Sequence, residues 1–199
     1  MAYPKIILVR HGETKWNVEG RYQGQLDSPL TERGIKQAKK NGQKIKRHLA
    51  KLGKDEVKIF SSPLGRAKST AFLIVDELGL SPNRVIVDTQ IQEFNYGILE
   101  GKTKEYCNEN HNEIIKAREA NKWFYQIENG DSYELVAKRV KSWLDKLDSD
   151  ITIIAITHEM VNRALRKLYR KISIDEALSL RQPNNMVLIL ENDEEEILT

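Results

Sequence analysis

Short aliphatic runs alternate along the chain with longer stretches in which hydrophobic residues recur every three or four positions. The runs are typical of buried strands, and the recurring stretches are typical of amphipathic helices. The predicted strands are 6–9, 57–60, 85–87, 151–156 and 186–190. The predicted helices are 31–52, 63–78, 133–147, 159–168 and 174–180, with a weakly patterned helical region at 103–127. This alternation predicts an α/β fold with three layers, a mainly parallel central sheet and helices on both faces.

Capping residues refine the expected ends of the helices. Thr31 and Ser62 each precede a helical pattern and are predicted as N-caps, while Gly53 and Gly79 are predicted to end the two helices. The acidic segment 191–196 at the end of the chain is expected to be solvated.

The composition is ordinary for a globular protein, with 199 residues, 40% hydrophobic and 31% charged. A net charge of +3 does not indicate a nucleic-acid partner. The single cysteine, Cys107, excludes a disulfide framework and favours a reducing compartment. We see no signal-like or membrane-spanning segment, so a cytoplasmic location and one domain over 1–199 are expected. A homodimer remains open.

Candidate chemistry lies where the predicted strands end. Arg10 and His11 follow the first strand, His158 follows the fourth, and Arg66 lies in the first turn of the helix after the second. The carboxyl ends of parallel strands share one edge of a sheet, which is where ligands bind. A following loop contributes Glu93. Two guanidinium groups and two imidazoles around one point suit a tetrahedral dianion such as a phosphate monoester.

At these residues the chain resembles the histidine phosphatase superfamily, which has a phosphoglycerate-mutase-like fold. The similarity spans nearly the whole chain and is strongest in Leu8-Val9-Arg10-His11-Gly12-Glu13-Thr14, Asp27-Ser28-Pro29-Leu30-Thr31, Ser61-Ser62-Pro63-Leu64, Glu93-Phe94 with Tyr96-Gly97, and Thr157-His158 with Arg163-Ala164-Leu165. One of these motifs alone would be weak evidence, whereas five in order are specific.

The resemblance implies a role for each candidate residue. His11 would be the nucleophile, Arg10, Arg66 and His158 would hold the phosphoryl oxygens, and Glu93 would be the acid and then the base. The positions matching substrate contacts are Asn17, Gln23 and Gly24. Residues 93–130 would form a lid-like insertion over the site, and neither metal nor cofactor is implied. The expected partner is a small phosphorylated metabolite; sugar phosphates, phosphoglycerate, a nucleotide-loop phosphate of cobamide synthesis and phosphoamino acids all stay open.

Two segments depart from the family pattern. Glu159-Met160 replaces glycines that usually follow the second histidine, which adds a carboxylate and bulk near the phosphate edge. Asp131 replaces a glutamate that usually precedes the serine, and we expect that change to have a modest effect.

Other functions compete with hydrolysis. The nearest is a phosphoglycerate mutase, in which a second hydroxyl rather than water takes the phosphoryl group; the chain is expected to be too short for the extra segments of those enzymes. A catalytically idle binding module using the basic helix 31–52 is a different class of alternative. A magnesium-dependent phosphatase motif at Asp148 would have to follow a strand, whereas here it precedes one. A cysteine phosphatase would need an arginine where Glu113 stands.

Overall fold

The computed structural model describes residues 3–52 and 57–199. The strands are β1 (Ile6–Arg10), β2 (Val57–Ser61), β3 (Val85–Val87), β4 (Thr152–Thr157), β5 (Val187–Glu191) and β6 (Glu194–Leu198). The helices are α1 (Lys15–Val18), α2 (Glu32–Leu52), α3 (Gly65–Leu78), α4 (Lys104–Asn110), α5 (Asn112–Ala120), α6 (Tyr133–Leu144), α7 (Glu159–Arg170) and α8 (Ile174–Ser179). Three single 3₁₀ turns lie at Pro82–Arg84, Thr89–Ile91 and Gly97–Leu99.

The six strands form one sheet in the order β3-β2-β4-β1-β5-β6. The first four strands in this order are parallel to one another, and β5 and β6 are antiparallel to their neighbours. The predicted mainly parallel sheet is therefore confirmed. Strands β2, β4 and β1 lie side by side and run the same way, so the segments that follow them emerge at one edge.

Helices cover both faces of the sheet, as the pattern of hydrophobic residues predicts. Alternate residues of β1 enter opposite cores: Ile6 and Leu8 pack with α6 and α7, whereas Ile7 and Val9 pack with α2 and α3. All four side chains are fully buried. Burial on both faces explains why this strand is a continuous aliphatic run rather than an alternating one.

The predicted helix starts are partly confirmed. The Thr31 side chain accepts a hydrogen bond from the Gly34 amide at 3.0 Å, which makes it the predicted N-cap of α2. The prediction for Ser62 is wrong, because α3 begins two residues later, after Leu64, which has no side-chain capping bond. Gly79 ends α3 in the left-handed region, at φ +74°, as expected. Gly53 lies outside the described residues.

Two further expectations need correction. Helix α6 ends at Leu144 rather than near Leu147. The acidic segment 191–196 is exposed as expected, except at the half-buried Glu195, but it is not an irregular tail, because Glu194–Leu198 forms β6 and pairs with β5 along its whole length. Glu195 explains part of this order: its carboxylate forms a bidentate ion pair with Arg166, whose side chain is only 5% exposed.

Candidate active site

The residues at the centre of the site directly follow three neighbouring parallel strands. Ser62 follows β2, His158 follows β4 and His11 follows β1. Backbone bonds tie these segments together just past the strand ends, from the Ser62 amide to the Ile156 carbonyl and from the His11 amide to the Thr157 carbonyl, both at 3.0 Å. As a result the centres of the two imidazole rings lie 5.1 Å apart. The convergence predicted for residues 147 positions apart in sequence is therefore present.

The His11 ring has a defined tautomer. Its Nδ1 lies 2.8 Å from the Gly12 carbonyl oxygen, and a carbonyl can only accept, so Nδ1 carries the proton and donates it. That leaves a lone pair on Nε2. Burial lowers the pKa of the His11 imidazole well below its ordinary value, and the positive charges of Arg66 and Arg10 lower it further. The ring is therefore neutral, as a nucleophile must be.

Gly12 serves close packing beside the histidine. A Cβ atom at this position would lie 2.4 Å from the Gly34 carbonyl oxygen, so no side chain fits there. The Gly12 amide donates to the Thr70 hydroxyl at 3.0 Å, which fixes the turn after β1 against α3. The lack of a side chain at Gly12 thus lets the turn pack directly against the backbone of Gly34, which fixes the position of the adjacent His11.

His158 is fully buried behind His11. Its Nε2 lies 2.7 Å from the Ser62 hydroxyl, while its Nδ1 is buried and has no hydrogen-bond partner within the described chain. Burial lowers the pKa of the His158 imidazole well below its ordinary value, with Arg66 and His11 as the next causes. Ser62 therefore contacts the second histidine instead of capping a helix.

The two arginines are held differently. Arg66, only 2% exposed, donates through Nη1 to the Leu26 carbonyl and the Asp27 carboxylate, and through Nη2 to the Gly24 carbonyl, at 2.7 to 3.0 Å. Its Nε is buried without a partner among the described residues. Burial lowers the pKa of the Arg66 guanidinium, while the carboxylates of Glu93 and Asp27 oppose that shift. The helix start and the loop 24–27 together hold this group at the sheet edge.

Arg10 is held by Glu159. Its Nη1 lies 2.5 Å from Glu159 Oε2 and donates to the Gln182 carbonyl at 3.1 Å, whereas its Nε is buried without a partner in the described part of the chain. Glu159 also accepts from Arg163 Nη2 at 2.7 Å. Glu159, one of the residues that depart from the family pattern, therefore neutralises part of the arginine charge at the edge of the site and holds Nη1 of Arg10 in place.

Glu93 is a buried carboxyl group, 8% exposed, in the loop after Thr89–Ile91. Its Oε1 accepts from the Phe94 amide at 2.9 Å, and its backbone carbonyl accepts from Arg139 Nη2 at 3.1 Å. Burial raises the pKa of this carboxyl, although the nearby Arg66 opposes the shift. A raised pKa favours the protonated form that a general acid needs.

The loop after β1 supplies the three predicted substrate-binding positions. The Asn17 and Gln23 side chains both bond to Thr14: Asn17 Oδ1 accepts from its amide at 3.1 Å, and Gln23 Oε1 accepts from its hydroxyl at 2.9 Å. Gly24 has φ +55°, and a Cβ there would lie 1.9 Å from Glu100 Oε1. Gly24 is thus required by the loop conformation and by the close approach of Glu100.

These side chains face one cleft of about 400 Å³. Seven of the eight predicted site residues line it: Arg10, His11, Asn17, Gln23, Gly24, Arg66 and Glu93. The eighth, His158, lies behind His11 and does not line the cleft. Residues of 93–130 form the outer wall, through Tyr96, Arg118 and Lys122 among others.

Residues 3–52 and 57–199 hold no cluster of His, Cys, Asp or Glu side chains arranged to bind a metal ion. Cys107 is buried in the core on the α6–α7 face of the sheet. Among the described helices, none combines the length and apolar character needed to cross a membrane.

Sequence reasoning missed three contributors to this site. Ser62 could have been found, since it follows a parallel strand in the same way as both histidines. Gln182, whose carbonyl binds Arg10, and Arg118 in the cleft wall follow no parallel strand and belong to no motif that we identified. Nothing in their local sequence indicates a role.

Known proteins resemble this chain in sequence and in fold. The family model of the histidine phosphatase superfamily (branch 1) matches residues 6–198. Phosphoserine phosphatase 1 of Hydrogenobacter thermophilus is 34% identical over 164 residues, which is 81% of this chain and 74% of that protein. A protein of Erwinia tasmaniensis named "Probable phosphoglycerate mutase GpmB" is 37% identical over 141 residues, 71% of this chain but 61% of its own length. The solved structure of Bacillus stearothermophilus YhfR has a TM-score of 0.78 and 26% identity, and the match covers 98% of this chain and 95% of that one.

Proposed function

Since this chain belongs to the histidine phosphatase superfamily (branch 1), we propose that it hydrolyses a small phosphate monoester through a phosphohistidine on His11. The observation that carries the proposal is the His11 ring, whose protonated Nδ1 is fixed on the Gly12 carbonyl so that Nε2 keeps a lone pair. His11 lines a cleft that also holds Arg10, Arg66 and Glu93.

In the first step, His11 Nε2 attacks phosphorus, and the bond from phosphorus to the ester oxygen breaks. Glu93 gives its proton to the departing alkoxide, so the alcohol leaves neutral and Glu93 becomes a carboxylate. Burial supports this role, because it raises the pKa of Glu93 and so favours the protonated form.

In the second step, the Glu93 carboxylate takes a proton from a water molecule as the water oxygen attacks the phosphohistidine. The bond from phosphorus to nitrogen breaks, its electron pair returns to His11 Nε2, and inorganic phosphate leaves. Glu93 is protonated again and the enzyme is restored. Covalent catalysis thus divides one high barrier into two lower ones.

Arg10 and Arg66, which line the cleft, would bind the phosphoryl oxygens, and His158 would do so from behind His11 through Nδ1, which has no partner among the described residues. Hydrolysis of a phosphate monoester requires a barrier reduction of ~20 kcal/mol or more. Positioning can supply roughly 7–11 kcal/mol of that, and each well-placed charge or donor about 3–4 kcal/mol. The buried Nε groups of both arginines and Nδ1 of His158 are donors or acceptors that no described protein atom uses, which supports this assignment. The arginines supply the positive charge that a metal ion supplies in other phosphatases.

The remaining assignments depend on the same cleft. Residues 93–130 would cover the site as a lid-like insertion within one domain, since they form its outer wall. Asn17, Gln23 and Gly24 would contact the phosphoryl group or the alcohol. The substrate would be a small phosphorylated metabolite in the cytoplasm, and no nucleic-acid partner is proposed.

A mutase is the second candidate, favoured by the 37% identity to the GpmB protein of Erwinia tasmaniensis. The two functions share the phosphohistidine and differ in what attacks it. A mutase returns the phosphoryl group to a hydroxyl and needs a bisphosphorylated primer, whereas a phosphatase releases inorganic phosphate without one.

The test is turnover of a panel of monoesters without bisphosphoglycerate. We expect release of inorganic phosphate by the wild type and none by His11→Ala. Arg66→Ala should leave a trace of activity, and Arg66→Lys should not restore it, because lysine lacks the planar fork. Strict dependence on bisphosphoglycerate with no free phosphate would favour the mutase instead.

A further inference from the structure

Arg118 on α5 is a buried cation in the outer wall of the cleft, with only 6% of its surface exposed. Its Nε and Nη2 are buried and have no hydrogen-bond partner, and no carboxylate among residues 3–52 and 57–199 lies within ion-pair distance of it. Fully buried arginines are nearly always paired, because desolvation of the charge is costly. Arg118 therefore contributes to the cleft wall a charge that no described carboxylate pairs.

Two aromatic rings fix the position of this guanidinium. Its central carbon lies 5.5 Å from the ring centre of Phe94 and 5.4 Å from that of Tyr96. Cation–π contacts of this kind hold the group in place. Phe94 and Tyr96 come shortly after Glu93 in the chain, so Arg118 is packed against the loop that carries the proposed acid.

Lys122, four residues after Arg118 and beyond the end of α5 at Ala120, lines the same wall. Burial lowers the pKa of its ammonium group, and Arg118, Arg163 and Arg181 lower it further. The latter two arginines both contact Glu159, at 2.7 and 3.5 Å. Glu119 lines the same wall and opposes the lowering of the Lys122 pKa, but neither Arg118 nor Lys122 forms an ion pair with a described carboxylate. An anion bound beside these two cations would therefore be stabilised.

We propose that Arg118, assisted by Lys122, binds a second anionic group carried by the alcohol part of the substrate. This inference rests on the proposed phosphatase function. With phosphorus at His11 and the ester oxygen at Glu93, the alcohol extends past Glu93, beside the loop of Phe94 and Tyr96 on which Arg118 rests. The substrate class is then a phosphate ester of an acidic alcohol, whose second group is a carboxylate or another phosphate.

Matched ester pairs test this inference. 3-Phosphoglycerate and glycerol 3-phosphate differ in a carboxylate against a hydroxymethyl group, and propane-1,3-diol bisphosphate and its monophosphate differ in a second phosphate. For at least one pair, kcat/KM of the wild type should be about 10–100-fold higher for the doubly anionic ester, the usual effect of one hydrogen-bonded charge. Arg118→Met should reduce that ratio to within about threefold of one, mainly by lowering kcat/KM of the doubly anionic ester.

Lys167→Met is the matched control. Lys167 also lies over an aromatic ring, 5.6 Å from the centre of Trp123, but outside the cleft. Lys167→Met should leave the kcat/KM ratios of both ester pairs unchanged. Arg118→Lys should keep part of the preference, and inhibition by inorganic phosphate should persist in Arg118→Met, which shows that the phosphoryl site is intact.

The pair that loses its preference identifies the second group as carboxylate or phosphate. The inference is wrong if the kcat/KM ratio of neither pair changes in Arg118→Met. It is also wrong if Arg118→Met lowers kcat/KM equally for both esters of each pair while phosphate still inhibits. If Arg118→Met does not fold, Lys122→Met decides: it should lower the ratio about 3–10-fold, and an unchanged ratio would overturn the inference. Failure of the proposed function looks different, because then no ester releases phosphate through His11.

Discussion

The hydrogen bond between Ser62 and His158 gives a sharp test of how the second imidazole is held. Both residues are fully buried, and the Ser62 hydroxyl lies 2.7 Å from His158 Nε2. Ser62→Ala removes this partner and leaves the imidazole nitrogen buried and unpaired. We expect the ring to lose its fixed orientation beside His11, 5.1 Å away.

Two effects set the size of the change. Loss of a buried hydrogen bond with its partner left unsatisfied costs about 1–3 kcal/mol, so the free energy of unfolding should fall by that amount. A misplaced donor to the transition-state charge should lower kcat by roughly 10–100-fold, somewhat less than complete removal of such a donor. KM should change less than kcat, because the arginines that would bind the phosphoryl group are untouched.

Ser61→Ala is the matched control. Ser61 is equally buried, and its hydroxyl donates to the Ser62 carbonyl at 2.9 Å without contacting His158. Urea denaturation should show losses of about 1 kcal/mol or more for both variants, whereas only Ser62→Ala should lose kcat. In a His158→Ala background, Ser62→Ala should cause no further loss of kcat. The reasoning is refuted if Ser61→Ala lowers kcat as much as Ser62→Ala, or if neither variant lowers it.

Three carboxylates, those of Glu93, Glu159 and Glu195, give further predictions. Burial raises the pKa of Glu93, so kcat/KM should fall as pH rises through that pKa. Glu93→Gln should abolish this fall and lower kcat on alkyl esters by about 10²–10⁴-fold. A pH profile that is unchanged in this variant would argue against the acid role. Glu159→Gln removes the charge that holds Arg10, so inorganic phosphate should inhibit roughly 3–10-fold more tightly; weaker inhibition would contradict competition for Arg10. Glu195→Gln should lower the free energy of unfolding by about 1.5–3 kcal/mol by breaking the pair with Arg166, whereas the neighbouring Glu194→Gln should have little effect in the same melts.

The sheet and the site centre were predictable because they depend on local pattern and on one topological rule. The aliphatic run in Ile6–Arg10 predicts a strand that is buried on both faces. Neighbouring parallel strands bring the residues after their carboxyl ends to a common edge of the sheet. His11, His158 and Arg66 were found by that rule. The same rule applied to Ser62 would have indicated its contact with His158, but its place before a proline suggested a helix cap instead.

Other features depend on contacts between residues that are distant in sequence. The acidic segment ending in Glu196 is solvated, as its composition indicates, but its strand conformation depends on pairing with β5 and on the bond from Glu195 to Arg166. Arg118 lies in a weakly patterned helix, and its burial depends on the positions of Phe94 and Tyr96. Local propensity carries no information about such contacts.

The central claim is that the His11 imidazole accepts a phosphoryl group. Rapid acid-free quenching of the enzyme with a ³²P-labelled substrate, followed by peptide mapping, measures this directly. We predict label in the peptide containing His11, stable to base, labile to acid and absent from His11→Ala. Label on any other residue, or turnover by His11→Ala at the rate of the wild type, would contradict the account.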